Sequence, residues 1–420
     1  MFERNAPRRQ PLSTPADFLL ADIAIRVQLS RTHQRKADQH YLALAEWIDR
    51  PDSLLAGRVE LVYAQGSMAI DATIASRLTT DEFDVDVIAQ LALPRDIAPR
   101  TALDLLYASI RGGPGSRYHD RTERQTRCVT VAYEDMHVDV TPMVLLTVLR
   151  ERTGHLFHSK LEESQYLDRT LIANPYGFAE WFKKTTPLDH EFARIFEQRS
   201  RAYEGLMLLE KAETEDLPEQ SPVHLKSKAV IVLQLLKRWR NVRYDHREGR
   251  RPPSVLLAKL VADSANGTET LSEELLHQAW AMLTTFRRWH ANGRTIHEVN
   301  PACPEHDVLT DRWPGTLTEQ ARFITDLEDL VAKVERLVAG CPLHEMRAIL
   351  ADLFGETPTE RAVKAFNEQT GREIREGRSQ SAAGGKLVLP ATGLAAGAGV
   401  ASSARATPRH TFFGTERRGK

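Results

Sequence analysis

The run AQGSMAIDATIASRLTTDEFDVDVIAQL, residues 64–91, contains two features that are unfavourable unless something binds there. Gly66 and Ser67 stand where a β-rich run ends, and Asp84 and Asp86 lie within an otherwise apolar strand. Successive side chains of a strand point to opposite faces of the sheet. The two aspartates therefore share one face, and the apolar residues that alternate with them share the core face.

Two carboxylates on one strand face repel each other, so one takes up a proton unless a cation lies between them. An edge strand with a solvated acidic face is the alternative interpretation. A third carboxylate, Asp139, sits between Val138 and Val140 in the strand-like run MHVDVTPMV, and it favours the cation site. Three carboxylates from two strands of one sheet suit Mg²⁺ or Mn²⁺. Two such ions can activate a hydroxyl and neutralise a triphosphate leaving group.

The Gly66-Ser67 pair predicts a phosphate site. Glycine allows the backbone to approach a phosphate closely, and the residues after it are typical of a helix start, whose N–H groups bind phosphate. Ser67 adds a hydroxyl donor. Alone the pair is a weak signal, because most Gly-Ser pairs are ordinary turns. It becomes specific about 17 residues before the acidic pair, in the order strand, Gly-Ser, helix and D-x-D.

The overall composition is that of a globular protein, with 42% hydrophobic and 27% charged residues among 420. A net charge of -1 gives no global attraction to nucleic acid or to an anionic membrane, so any nucleotide must be held at a local site. The three cysteines are far apart and predict neither a disulfide framework nor a zinc site. The charged N-terminus and the absence of a long apolar run predict a soluble, cytosolic protein.

Helix and strand signals alternate up to about residue 155, and helical patterns follow. One long helix, or two in series, begins after Ser13 or Thr14 as a cap and ends before Pro51. Strands, the helix TALDLLYASIRGG and a hairpin with its turn near Glu134-Asp135 come next. The runs SKAVIVLQLLKRWR and LTEQARFITDLEDLVAKVERLVAG have the clearest helical periodicity.

This order of motifs resembles the DNA polymerase β-like nucleotidyltransferase superfamily. More narrowly, the chain resembles the bacterial cyclic GMP-AMP synthase/DncV-like nucleotidyltransferases (CD-NTases) of the anti-phage CBASS systems. The resemblance covers about residues 15–350. It rests on QGSMAIDATI, DEFDVDV, RCVTVAYEDMHVDVTPMV, NPYGFAEWF, LQLLKRWRNVRY, RPPSVLLAKLV and VNPACPEHDVLTDRW. The first three are specific to the superfamily, and the order of the others narrows the assignment.

The resemblance implies a bilobal α+β fold, in which a palm built on a small mixed sheet faces a helical C-terminal lobe across the active-site cleft. We predict an N-terminal helical spine at 1–57, the palm at 58–155, the helical lobe at 156–375 and a tail at 376–420. The tail is rich in Gly, Ala and Ser. It buries too little apolar surface to offset its chain entropy, so we expect it to be disordered.

Site residues follow from the resemblance by motif. In the family, three carboxylates bind two Mg²⁺ ions, for which Mn²⁺ can substitute. Here these carboxylates are Asp84, Asp86 and Asp139. The family's Gly-Ser pair holds the donor triphosphate, and here it is Gly66 and Ser67.

The family also places a lysine of a central helix and a downstream serine on the triphosphate, and Lys237 and Ser254 match them. Lys228 competes with Lys237. Nine residues at about 100° each put the two lysines on opposite helix faces, so only one faces the cleft, and the KRWR context favours Lys237. Ser254 could also act as a helix N-cap. Asn300 is expected to lie in a loop on the nucleobase side of the cleft.

The implied activity joins nucleoside triphosphates, ATP among them, into a cyclic di- or trinucleotide second messenger. A ribose hydroxyl attacks the α-phosphate, pyrophosphate leaves, and the product activates a separate effector after phage infection. A linear oligoadenylate or RNA-tailing nucleotidyltransferase is the rival enzyme, and a catalytically silent nucleotide-binding protein is a third alternative. An E1/E2-like partner that modifies the tail is a further expectation, whereas a nucleic-acid activator and a membrane are not expected.

Overall fold

The computed structural model describes residues 11–75, 83–146, 151–211, 225–267 and 270–376, with short stretches at 380–382, 386–388 and 405–406. Its helices are α1 (Pro15–Val27), α2 (Arg31–Ile48), α3 (Gly66–Ala69), α4 (Pro99–Arg111), α5 (Pro175–Thr185), α6 (His190–Lys211), α7 (Lys228–Tyr244), α8 (Ser254–Ser264), α9 (Leu271–Ala291), α10 (Leu317–Ala339), α11 (Leu343–Phe354) and α12 (Glu356–Arg375). Its strands are β1 (Val59–Ala64), β2 (Phe83–Leu91), β3 (Thr122–Arg124), β4 (Val129–Ala132), β5 (Met136–Leu145), β6 (Gly154–His158), β7 (Arg169–Ala173), β8 (Gln380–Ala382), β9 (Lys386–Val388) and β10 (Arg405–Ala406). The predicted α+β class is confirmed.

The main sheet is mixed and has the order β1-β2-β5-β4-β3, with β6 paired to β5 and β7 paired to β6. Strands β2 and β5 at its centre are parallel, whereas the other neighbours in the sheet are antiparallel. The register of the parallel pair sets Asp86 beside Asp139 and Asp84 beside His137. The centre of the sheet therefore brings the predicted acidic residues together.

One face of this sheet is buried. Phe83, Val85 and Val87 are at most 3% exposed, as the alternation along β2 predicts. Residues of α2 and α4 complete the same apolar cluster, so these two helices cover the back of the sheet. The acidic face of β2 is left free to line a cleft.

The helices after residue 174 enclose a second hydrophobic core around α7. Every residue from Lys228 to Asn241 of α7 is buried, as expected for a helix surrounded by others on all sides. Trp239 of this helix packs against Phe323 of α10 with ring centroids 5.8 Å apart. The helical lobe is therefore a rigid block, and α7 carries its polar residues to fixed places.

The N-terminal helices join the two cores. Of the two predicted caps, Ser13 and Thr14, it is Thr14 that caps α1, and it does so in a capping box with Asp17. Buried residues of α1 belong to the core of the helical lobe, whereas those of α2 belong to the core of the sheet. Between the two helices, Gln28 forms a β-bridge with Ile74. This N-terminal pair ties the segment after Gly66-Ser67 to both lobes.

The structure corrects two expectations. The helix expected after Ser67 is the single turn α3, and residues up to 75 continue without further helix. Residues 154–158 and 169–173 are not helical but add strands β6 and β7 to the sheet, beyond the predicted palm boundary at residue 155. Short apolar runs fit a strand as well as a helix segment, and the sheet edge decides between them here.

Most of the tail lies outside the described residues, and its described parts are β8, β9 and β10, which pair with one another. None of the helices in the described part of the chain is long and apolar enough to span a membrane.

Candidate active site

The three aspartates lie on the sides of β2 and β5 that face the cleft, opposite the apolar core face. Asp86 and Asp139 are cross-strand neighbours, and Asp84 is two residues along β2 from Asp86. Thr130 of β4 pairs with Asp139 in the next strand and donates its hydroxyl to Oδ1 at 2.5 Å. Asp84 is the most open of the three, with its side chain 49% exposed, and its Oδ1 lies 3.9 Å from Nδ1 of His137.

Burial and nearby negative charge make Asp86 and Asp139 difficult to ionise. Burial first, and then the charges of Asp139 and Asp84, raise the pKa of Asp86 to about 7. Burial also raises the pKa of Asp139, although the hydrogen bond from Thr130 opposes the shift. The site therefore holds negative charge that a cation would relieve.

The donor set fits Mg²⁺ or Mn²⁺, because carboxylate oxygens are the ligands these ions prefer. Asp84, Asp86 and Asp139 are the residues that would hold them. In the described part of the chain, no three carboxylate, imidazole or thiol groups are already gathered as around a bound ion.

Gly66 lies directly beside Asp86 of this cluster. Its φ is +57°, in the left-handed region that favours glycine. A Cβ at this position would stand 2.7 Å from Oδ2 of Asp86, closer than carbon and oxygen can approach. The backbone N–H of Gln65 also donates to the carbonyl oxygen of Asp86 at 2.8 Å. Glycine thus permits a turn directly beside the carboxylate.

The segment after this turn is held by α7. Lys237 donates from Nζ to the carbonyl oxygen of Ala72 at 2.8 Å, and Gln234 donates to the carbonyl oxygen of Thr73 at 3.2 Å. Burial, followed by the positive charge of Arg240, lowers the pKa of Lys237 to about 7. Because α3 is only one turn long, the predicted phosphate contact rests on the glycine turn, Ser67 and Lys237 rather than on a helix dipole.

The two competing lysines are separated as the helical spacing predicts. Lys237 lines the cleft, whereas Nζ of Lys228 donates to the carbonyl oxygen of Gly267 and lies 3.4 Å from Oδ2 of Asp189. Ser254 also lines the cleft. It is the first residue of α8 rather than its N-cap, which is Pro253.

Arg240 was not predicted from the sequence. It fixes Ser254 by donating from Nη1 to the serine hydroxyl at 2.9 Å and to the carbonyl oxygen of Pro252 at 2.8 Å. Burial and the charge of Arg251 lower its pKa to about 9. It therefore adds positive charge to the wall that carries Lys237.

Two cavities meet at the aspartates. The first, about 460 Å³, is lined by Gly66, Ser67, Asp84, Asp86, Lys237 and Ser254, with Arg127, Asn300, Asp307 and Arg312 among its other residues. The second, about 610 Å³, shares Asp84, Arg127 and Arg312 with the first and includes Asp139 and Thr130. The predicted site residues are thus brought together around one cleft.

Arg127 and Arg312, which line both cavities, were also not predicted from the sequence. Arg127 of the palm donates from Nη2 to Oδ2 of Asp311 at 2.5 Å, which links the sheet to the loop between α9 and α10. Its Nε donates to Nδ1 of His158 at 3.1 Å. The chain contains 56 Lys and Arg residues, and no spacing in the sequence marks this one.

Comparison with known proteins identifies the family. Residues 16–157 match the model of the Second Messenger Oligonucleotide or Dinucleotide Synthetase domain. A cyclic dinucleotide synthase, CdnG of Bradyrhizobium diazoefficiens, is 34% identical over 414 residues, which are 97% of this chain and 96% of the relative. A c-di-GMP synthase of Roseivirga ehrenbergii is 24% identical over 403 residues, 96% of this chain and 98% of the relative.

A solved structure agrees with these matches. The structure of Bradyrhizobium diazoefficiens CdnG in complex with GTP has a TM-score of 0.73 at 33% identity, and the match covers 84% of this chain and 99% of that one. The fold and cleft define a nucleotidyltransferase. The chain belongs to the CD-NTase family of second-messenger synthases, which confirms the resemblance seen in its sequence.

We predict that Gly66→Ala abolishes most of the activity. The new methyl group would overlap Oδ2 of Asp86 and displace that carboxylate. A displacement of about 1 Å in such a site can cost about 100-fold in rate, so kcat should fall by about that factor. The measurement is the initial rate of pyrophosphate release.

Gly57→Ala is the matched control. Its φ of +67° is nearly the same, but no atom lies within 4 Å of the new Cβ. The backbone strain of about 1 kcal/mol should lower stability in a thermal melt and leave kcat near the wild-type value. Equal losses in the two variants would show that strain, and not the contact with Asp86, explains the Gly66 result.

We predict that Lys237→Met raises the KM for nucleoside triphosphate about tenfold or more, because a charged donor to phosphate is removed while the volume is kept. Lys228→Met is the control. It removes a buried ion pair with Asp189 and should reduce stability without changing KM. Steady-state kinetics of both variants at one pH check this. A KM shift confined to Lys228→Met would reverse the assignment.

Proposed function

We propose that this chain joins two nucleoside triphosphates into a cyclic dinucleotide, with GTP among its substrates. The observation that carries the proposal is the meeting of two cavities at Asp84, Asp86 and Asp139, one of them also lined by Gly66 and Lys237. A donor nucleotide fits the first cavity and an acceptor the second. The carboxylates at the shared edge lie where the two would react.

The residues of the first cavity bind and orient the donor triphosphate. The Gly66 turn lets the backbone approach the phosphates, and the Ser67 and Ser254 hydroxyls donate to them. Lys237 supplies a positive charge on a helix that is buried along its length, so it loses little freedom when a phosphate binds. These contacts hold the α-phosphate for in-line attack.

The reaction forms one bond and breaks one. A ribose hydroxyl oxygen of the acceptor attacks the α-phosphorus of the donor, its proton is released, and the bond to the β-phosphate oxygen breaks with loss of pyrophosphate. Metal ions held by the three aspartates would make that hydroxyl more acidic and stabilise the leaving pyrophosphate. A second, equivalent attack within the linear intermediate closes the ring.

The identity of the bases is supported by the relatives. Both are named for cyclic dinucleotides, one is named for c-di-GMP, and a relative's structure contains GTP. These names favour a dinucleotide over the trinucleotide and add GTP to the ATP expected from the sequence. ATP remains a candidate for the second position.

The expected cellular role is that of a second-messenger synthase in anti-phage defence, acting through an effector that binds the product. Modification of the C-terminal tail by an E1/E2-like partner remains a prediction, because most of residues 377–420 lie outside the described part of the chain. The nearly neutral net charge supports a reaction without a nucleic-acid activator.

The test is one reaction with ATP, GTP, CTP and UTP and Mg²⁺ or Mn²⁺, followed by phosphatase treatment and mass spectrometry. We expect a phosphatase-resistant cyclic dinucleotide that contains guanine. Asp84→Ala/Asp86→Ala should give none, because two of the three proposed metal ligands are lost. A thermal melt of that variant checks that it folds.

Other products would overturn the proposal in defined ways. Linear, phosphatase-sensitive chains would indicate a tailing nucleotidyltransferase. A cyclic trinucleotide, or a cyclic dinucleotide without guanine, would refute the stated product. Binding of nucleotides without any product would indicate a sensor rather than a synthase.

A further inference from the structure

One carboxylate in the first cavity serves neither the phosphates nor the metal site. Asp307 lies in the loop between α9 and α10 and lines the cavity. Its Oδ2 accepts from the backbone N–H of Asn174 at 3.1 Å and from Nδ2 of Asn300 at 2.8 Å. Among the described residues, no group donates to its Oδ1. The side chain is fixed through one oxygen and keeps the other available.

The frame that holds Asp307 is rigid. Asn174 and Asn300 are 2% and 1% exposed, and Nδ2 of Asn300 also donates to the carbonyl oxygen of Asn174 at 2.9 Å. The loop packs tightly against α5, since a Cβ on Gly177 would stand 2.6 Å from that of Ala302. The remaining polar atoms of both asparagines are used within the protein. Oδ1 of Asp307 is therefore the acceptor that this network leaves for a ligand.

The charge of Asp307 excludes a role in binding phosphate. A carboxylate repels a triphosphate and accepts hydrogen bonds without donating any. It also belongs to a different part of the cleft from the metal cluster. Asp307 lies in the α9–α10 loop and does not line the second cavity, whereas the three aspartates lie on β2 and β5. Its ligand must therefore present hydrogen-bond donors.

The surroundings of Asp307 suit a nucleobase. Apolar side chains form part of the same cavity wall, and they can cover the faces of a planar ring: Leu156, Pro175, Phe178, Val308 and Leu309. Guanine presents two donors side by side on its Watson–Crick edge, the N1–H and the 2-amino group. Adenine presents only one donor on this edge, its 6-amino group, and the neighbouring N1 is an acceptor whose lone pair a carboxylate repels. A fixed carboxylate therefore favours guanine, in which both neighbouring groups donate.

We propose that Asp307 reads the base of the donor nucleotide and selects guanine over adenine, as a specificity-determining residue of this cleft. The inference rests on the proposed function, because it requires a nucleoside triphosphate in the first cavity. It adds the identity of the base and the residue that selects that base. A site built to bond a donor group discriminates strongly against a ligand that lacks it.

Binding is tested without turnover, using the α,β-methylene analogues of GTP and ATP, which cannot release pyrophosphate. Isothermal titration calorimetry in Mg²⁺ should show that the wild-type chain binds the GTP analogue about tenfold or more tightly than the ATP analogue. Asp307→Asn places an amide donor against the guanine donors and should weaken the GTP analogue by about 10- to 100-fold. The ATP analogue should change by less than about twofold.

Asp311→Asn is the matched control, because it removes the same charge from the same loop. It should change the affinities for both analogues by the same factor and leave their ratio unaltered. A merely structural role for Asp307 would likewise weaken both analogues equally. Equal weakening in Asp307→Asn, or an unchanged GTP affinity, would overturn the proposal.

A different substrate tests the same inference on the wild-type chain, so the result does not depend on whether a variant folds. Inosine triphosphate lacks only the 2-amino group of GTP, and its KM should be about tenfold or more above that of GTP. An equal KM would count against Asp307 as the reader of that group. If the analogues bind as expected and no cyclic dinucleotide forms, the proposed function fails while this inference stands. If product forms without base preference, this inference alone fails.

Discussion

Repulsion among three carboxylates at the crossing of β2 and β5 is the constraint on which the rest of the site depends. The parallel pairing brings Asp86 beside Asp139, and burial then makes their charges unfavourable together, which raises the pKa of both. Groups of the protein offset only part of this unfavourable negative charge. Thr130 donates to one carboxylate, and Lys237 opposes the shift of the other from across the cleft. Cations would supply the remainder, as in the proposed function.

The helical lobe forms the other wall of the cleft. Lys237 and Gln234 of the buried helix α7 donate to carbonyl oxygens of the segment that follows the Gly66 turn, so α7 positions this segment. The loop between α9 and α10 contributes both Asp311, which binds Arg127 of the palm, and Asp307, which keeps one oxygen for a ligand. The sheet carries the three aspartates, whereas the helical lobe carries Lys237, Ser254 and Asp307 in the facing wall.

Patterns among residues close in sequence correctly predicted the elements that short-range interactions determine. The alternation along β2, a cap at Ser13 or Thr14 and the helical period of α7 each depend on residues close in sequence, and the structure confirms them, with Thr14 as the cap. The helix expected after Ser67 ended after one turn, because Gln28 bridges to Ile74 and α7 binds the carbonyl groups there. Strands β6 and β7 were missed for a related reason. Their short runs carry no decisive period, and the free edge of β5 determines their conformation.

The sequence by itself determined the class of the protein and its acidic centre, because D-x-D spacing on a strand and a later Asp139 constrain which side chains share a face. The sequence also predicted that only one of Lys237 and Lys228 faces the cleft, because helical geometry puts the two on opposite faces of α7. Only the tertiary structure decided which of the many other charged residues enter the cleft. Arg127 and Asp307 are 180 positions apart and face one cavity, and contacts between such distant segments leave no periodic signal in the chain.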